Sequence, residues 1–414
     1  MKKIQQLLLV SVIAGGMLSS LQASSSSDGD IHQAIVIDNG SSIIRAGFVG
    51  DNSPRSVFPS IVGRPRHRNI IKTKDYYVGD EVQSKKGILT IKYPIENGIV
   101  TNWDDMETIW QHTFSDALKI NPAEHSVLLT EIPLNPKANR EKTTQVMFET
   151  FNVPGVYLGN TGVLSLYASG RKTGLVVESG YNSTSIVPIY EGHALPYAAT
   201  RINMGSRDLE DQLSKFLYSN PRFVQCTAGE NTGLARKDIL ENKCFVKVPT
   251  FDLYLSYHTN DLSYGDGYLA EKLIKEEYEI PDGTVISLGE ERWKVPEILF
   301  KPSLIGRDFS GIHQEIYDSI IKVDADLRTG MFVNIVLAGG NTMFPGIDTR
   351  LLKELQKLAP AGTKIRVVAS PDRKYSAWIG GSILAKLSTF PNDCVSKQEY
   401  CEYGSQIVHR KLGL

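Results

Sequence analysis

The sequence carries almost no surplus charge of either sign: 45 Lys and Arg stand against 46 Asp and Glu. No global field therefore draws the chain onto nucleic acid or an anionic membrane, and neither DNA nor RNA is an expected partner. Long apolar runs are missing too. The most apolar stretch, Leu7 to Leu18, falls short of the roughly 20 residues that a bilayer span requires, so no stable membrane span is expected. Cysteine is scarce. Cys226, Cys244, Cys394 and Cys401 include no C-x-x-C pair, which removes the usual spacing for structural zinc. An even count permits two disulfides, but a 414-residue chain needs no covalent staples and free thiols are expected. There is no G-x-x-x-x-G-K-[ST] string and no Ser-His-Asp arrangement. Any phosphate site has to be assembled from other loops.

At the N-terminus, Lys2 and Lys3 precede the apolar stretch, which leads into Ser20-Leu21-Gln22-Ala23 and the serines 24–27. That is the layout of a secretory signal peptide over residues 1–23, although Leu21 stands where cleavage prefers a smaller side chain. The competing reading is a disordered or partner-bound extension over residues 1–30, with the folded part beginning near His32.

Gln33 to Asp38 reads as a strand. Its apolar triplet Ile35-Val36-Ile37 suits a strand buried on both faces. It ends in Asp38-Asn39-Gly40-Ser41-Ser42, a turn cluster, and Ile43 to Val49 returns as a second strand. The unit recurs: Leu175-Val176-Val177 runs into Glu178-Ser179-Gly180-Tyr181-Asn182-Ser183-Thr184, followed by strand-like Ile186 to Tyr190. Two acid-tipped hairpins at domain-sized separation indicate duplicated α/β lobes. A third strand-to-turn unit, Ile335 to Ala338 followed by Gly339-Gly340-Asn341-Thr342, permits close backbone approach to a ligand. Helices are expected at Asp104–Ile120, Arg140–Phe151, Asp208–Tyr218, Leu269–Glu279, Ile312–Ile321 and Ile347–Lys357.

A polyphosphate tail needs backbone N–H donors, close approach and counter-charge. Two hairpin tips facing across a cleft supply donors from both sides. Asp38 and Glu178 stand where a carboxylate would hold Mg²⁺ or Ca²⁺ through water. Arg45, on the first returning strand, is placed to reach phosphate oxygens.

The remaining motifs carry a resemblance. Asp38-Asn39-Gly40-Ser41, Ala46-Gly47-Phe48, Phe58 to Arg66 (FPSIVGRPR), Val78-Gly79-Asp80-Glu81, Gly98 to Asp105 (GIVTNWDD), Pro133 to Glu141 (PLNPKANRE), Arg373 to Leu384 (RKYSAWIGGSIL) and Ser396 to Tyr400 (SKQEY) resemble actin. The likeness covers roughly residues 33–410, is weakest over about 209–280 and is absent over 1–30. It implies an α/β, actin-like ATPase fold with two related lobes around a nucleotide cleft. It further implies four subdomains: 31–66 with 94–168 and 376–414; 67–93; 169–204 with 308–375; and 205–307. ATP or ADP with Mg²⁺ or Ca²⁺ is the implied ligand. By resemblance, Asp38 to Ser42 and Glu178 to Asn182 are the phosphate loops, and Arg45 replaces a phosphate-contacting lysine. Glu241 matches a ribose-contacting acid. Gly339, Gly340, Asn341, Phe344 and Lys374 belong to the third loop and the adenine pocket.

The departures from actin fall inside that site. Glu178 is longer by a methylene than the family's aspartate, Tyr181 replaces an acid, and Asn182 and Ser42 replace glycines. The water-orienting glutamine matches Thr161, the histidine matches Ser185, and a lysine near the adenosine matches Leu240. Hydrolysis depends on positioning water in line with the terminal phosphorus, so an ATPase is expected to be weak or inactive. The expected function is therefore a divergent actin-like cytoskeletal protein of the cytoplasm with impaired hydrolysis, filament-forming; the alternative is a non-polymerising interaction module with a decayed nucleotide site. Arg307 stands in the segment Pro302 to Gly311 where actin has an apolar plug residue, and the loop from His67 to Tyr77 is shortened. The implied partners are further copies of the chain or actin-binding proteins, docked in a groove at Tyr167, Leu384, Leu387 and Thr389. There Asp393 and Cys394 replace a methionine and a tryptophan. Asn39-Gly40-Ser41 and Asn182-Ser183-Thr184 also read as glycosylation acceptors, and a glycan on either would block the cleft.

Overall fold

Continuous apolar triplets in this sequence become strands covered on both faces. The computed structural model describes residues 33–66, 74–219, 223–224, 231–248, 275–281 and 283–412. The leader-like residues 1–23, Cys226 and residues 67–73 of the shortened loop lie outside the described residues. Ile35, Val36 and Ile37 are fully buried. Ile35 and Ile37 pack on one side with Trp110 and Phe114, and Val36 on the other with Leu128 and Trp378.

The strand Ile35–Asn39 pairs antiparallel with Ile43–Phe48 and parallel with Val127–Glu131. Ser56–Pro59 extends one edge of this six-stranded sheet, and Gly155–Asn160 and Val395–Ser396 extend the other. A second sheet repeats the plan. Gly174–Ser179 pairs antiparallel with Thr184–Tyr190 and parallel with Ile335–Ala338. Even the register repeats: Asp38 lies opposite Arg45, and Glu178 lies opposite Ser185. Leu175 and Val177 enter one core and Val176 another, so this triplet too is covered on both faces.

Between the sheets run two helices, Thr161–Ala168 and Ser376–Ala385. They cross so closely at Gly380 that a Cβ there would lie 1.7 Å from the Leu164 carbonyl oxygen. Smaller sheets, of Val62–Pro65 with Tyr77–Val78 and Leu89–Lys92, and of Glu276–Glu279 with Val285–Leu288, add two outlying parts.

Most expected helices form, with shifted ends: Lys137–Glu149, Ser206–Tyr218, Ile312–Lys322 and Ile347–Leu358. Two differ. The helix expected over Asp104–Ile120 is α-helical only over Trp103–His112, where Asn102 accepts a cap bond from the Asp105 N–H. Thr113–Leu118 then widens into a π-helical turn that ends at Lys119 with φ 56°. The helix expected over Leu269–Glu279 is wrong at its described end, because Glu276–Glu279 is a strand of a two-stranded hairpin. Tyr278 alone of those four is buried, which is the alternation of a half-covered strand. Among the described residues no helix is long and apolar enough to cross a membrane.

Candidate nucleotide-binding site

The first tip is held from beneath by the neighbouring parallel strand. Asp38 is 7% exposed. Its Oδ1 accepts from the Thr130 hydroxyl and its Oδ2 from Arg45 Nη1, both at 2.8 Å. The Asn39 N–H donates to the same Thr130 hydroxyl at 2.9 Å. Asn39 turns its side chain inward: Nδ2 donates to the Thr130 carbonyl and Oδ1 accepts from the Trp110 indole. Its amide nitrogen is therefore committed inside the fold, and the first glycosylation string is closed once the chain has folded. Ser41 Oγ accepts from the Gly98 N–H at 2.9 Å. By contrast, the backbone N–H groups of Ser41 and Ser42 donate to no described group.

The second tip is fixed by the third loop and by the start of the helix Ser206–Tyr218. The carbonyls of Gly180 and Tyr181 accept from the N–H groups of Ser206 and Arg207, at 3.0 and 2.9 Å. Asn341, 2% exposed, donates to the Gly180 carbonyl at 2.7 Å and to Ser179 Oγ at 3.1 Å. Gly339, at φ +86°, comes so close that a Cβ would lie 2.3 Å from the Ser179 carbonyl oxygen. Ser179 Oγ shares a bond with Thr184 Oγ1 in the hairpin. The tip itself is open: the N–H groups of Tyr181 and Asn182 donate to no described group. Asn182 Oδ1 is buried without a described partner.

Asp38 is near enough for its charge to disfavour ionisation of Glu178, so the two acid-bearing tips lie in one region. Burial is the main cause that lifts the Glu178 carboxyl to about 7. The Thr161 hydroxyl makes no well-formed bond among the described residues, yet lies close enough to oppose that rise, as does Arg45 more weakly. Thr161 starts its helix behind Asn160, whose Oδ1 accepts from the N–H groups of Gly162 and Val163. Ser185 is 4% exposed within its strand. Burial also pushes the Tyr181 phenol to about 12, with Glu210 and Tyr93 adding to it, so the side chain in place of an acid is a neutral donor.

The remaining candidates divide. Lys374 Nζ lies 3.5 Å from Glu241 Oε2, so the two expected adenosine contacts are brought together. Around Gly340 a Cβ would meet nothing within 4 Å. Of the other residues expected at the nucleotide, Phe344 is buried in the core of the second lobe and Asn341 serves as a clasp between loops. Sequence reasoning passed over Thr130 and the Gly205–Arg207 segment. Thr130 carried a usable signal, as the polar residue closing the buried run Val127-Leu128-Leu129.

In the expected partner groove, Leu387 and Thr389 are exposed and Tyr167 and Leu384 are partly buried. Cys394 is not at its surface: it is 2% exposed, packs with Phe390 and has its thiol pushed by burial to about 12. Cys244, Cys394 and Cys401 are free thiols. The family model described as Actin matches residues 29–413.

Proposed function

Since the chain belongs to the actin family, with the α/β actin-like ATPase fold, we propose that it binds ATP or ADP between its two acid-tipped hairpins and hydrolyses ATP poorly. The supporting observation is the set of uncommitted N–H groups at Ser41, Ser42, Tyr181 and Asn182, displayed on two tips whose acids sense each other. Peptide N–H groups so arranged match the acceptors of a phosphate tail. The nucleoside is assigned to the Glu241–Lys374 pair and to Gly340, where a Cβ would meet nothing within 4 Å.

Impaired hydrolysis follows from what stands at the water-orienting positions. Thr161 reaches one carbon beyond its Cβ, and Ser185 is a small buried hydroxyl. Neither spans the distance to a water in line with a terminal phosphorus. Titration of the full chain with a fluorescent ATP analogue should give a saturable signal that unlabelled ADP displaces. Turnover with magnesium should run at least about 100-fold below that of ordinary actin. A flat titration would remove the nucleotide reading, and ordinary turnover would remove the inactive part.

For self-assembly, one observation favours the non-polymerising interaction module over a filament. Arg307 Nη2 donates to Asp208 Oδ1 at 2.9 Å, tying the Pro302 to Gly311 segment to the start of its own neighbouring helix. A tethered cation at that tip does not enter an apolar site on another subunit without desolvation cost. High-speed centrifugation with Mg-ATP and salt should leave the protein in the supernatant; a pellet restores the filament reading. Its partners would then be actin-binding proteins at the exposed Leu387 side of the groove. Residence in the cytoplasm or cytoskeleton rests on family membership, and the segment 1–23 argues for export.

A further inference from the structure

Building on the nucleotide reading, we propose that the Arg45 guanidinium, rather than a tightly held divalent cation, supplies the main counter-charge to the phosphate tail, so that binding survives removal of Mg²⁺ and Ca²⁺. A cation held through water needs carboxylate oxygens with lone pairs to spare. Asp38 has few: Thr130 takes Oδ1, Arg45 takes Oδ2, and the side chain is 9% exposed. Thr130 is itself held by the Asn39 N–H, so the arrangement is clamped from two directions. Glu178, the other acid, stands on the second hairpin opposite Ser185. This donor set fits a divalent ion poorly.

Arg45 fits the counter-charge role better. Its Nη1 is bonded to Asp38, while its Nε is buried with no described partner. Nη1 lies 3.6 Å from the position a Cβ would take on Gly40, which puts the guanidinium over the turn whose N–H groups are uncommitted. The Tyr375 ring lies on the cation at 5.6 Å from its centroid. A planar fork with five donors can hold a carboxylate along one edge and a phosphate along another, whereas an ammonium is a point charge. The equivalent place in the second lobe is Ser185, and Lys374 is paired with Glu241, so Arg45 is the cation the hairpins contribute.

The test uses the full chain and a fluorescent ADP analogue in three buffers, containing MgCl₂, CaCl₂ or excess EDTA. Expected is a dissociation constant that differs by less than about fivefold among them. Arg45→Lys, whose point charge cannot hold Asp38 and a phosphate along two separate edges, should regain chelator sensitivity of tenfold or more, and Arg45→Gln should weaken binding by about tenfold or more in every buffer. A fivefold or greater loss in EDTA for the unaltered chain overturns the counter-charge proposal while leaving nucleotide binding intact. Absence of binding in all three buffers overturns both. Should the variants fail to melt cooperatively, the comparison of buffers with the unaltered chain still decides.

Discussion

Glu178→Gln should stabilise the protein above neutral pH and leave it nearly unchanged below pH 5. The folded Glu178 carboxyl keeps its proton up to about 7, against an ordinary value of 4.5, because burial penalises the charged form. Between those values the folded chain binds more protons than the unfolded one, so stability falls as pH rises and levels off above about 7. The interval corresponds to about 3 kcal/mol, and partial access to solvent brings the expected effect nearer about 2 kcal/mol. Glutamine has the same shape and no charge to bury. Urea unfolding at pH 5 and pH 8 should therefore show the variant's midpoint crossing above the parent's only at the higher pH. Parallel pH profiles for the two proteins would mean that Glu178 is not desolvated as described. Glu131 and Glu210 are also raised, mainly by burial, so the difference between the two profiles is the decisive quantity.

Gly380→Ala should be the most damaging alanine substitution among the described glycines. The added carbon would sit 1.7 Å from the Leu164 carbonyl oxygen and 2.4 Å from its carbon, both backbone atoms in a helix that cannot turn aside. The two helices must separate, and each rests on a different hairpin's sheet: Trp378 covers Val36 on one side, while Leu166 packs with Val176 and Val187 on the other. A loss of about 3 kcal/mol in unfolding free energy is expected. Nucleotide affinity should fall with it, because the tips move with their sheets. Gly340→Ala is the natural control, since a Cβ there meets nothing within 4 Å and should leave stability within about 0.5 kcal/mol. An unaltered urea midpoint for Gly380→Ala would show that the helices do not touch at that residue.

The duplicated hairpins were legible because their signals are local. An apolar triplet buried on both faces, then an acid, then a glycine-containing turn can be read from consecutive residues, and both copies formed where expected. Helices with strong one-sided patterns, such as Ile347–Leu358, were legible for the same reason. The stretch at Glu276–Glu279 was misread because charged residues between scattered apolar ones suit a helix face as well as a strand with one covered side. A glycine-rich turn does not state which of its side chains are buried, as those of Asn341 and Phe344 are.

Resemblance could not foresee the Arg45–Asp38–Thr130 clamp, since each partner comes from a different strand and only parallel pairing sets Thr130 beside Asp38. By itself, the sequence determined the two acid-tipped hairpins and the α/β class, which follow from burial periodicity and turn chemistry along the chain, while its motifs carried the resemblance to the actin family. Only the tertiary structure decided the charge state and orientation of the residues those hairpins carry. Burial raises the Glu178 carboxyl, and the capture of Asp38 Oδ1 by Thr130 and the inward turn of Asn39 onto Thr130 and Trp110 arise from groups 71 to 92 residues away, brought within hydrogen-bond reach by packing.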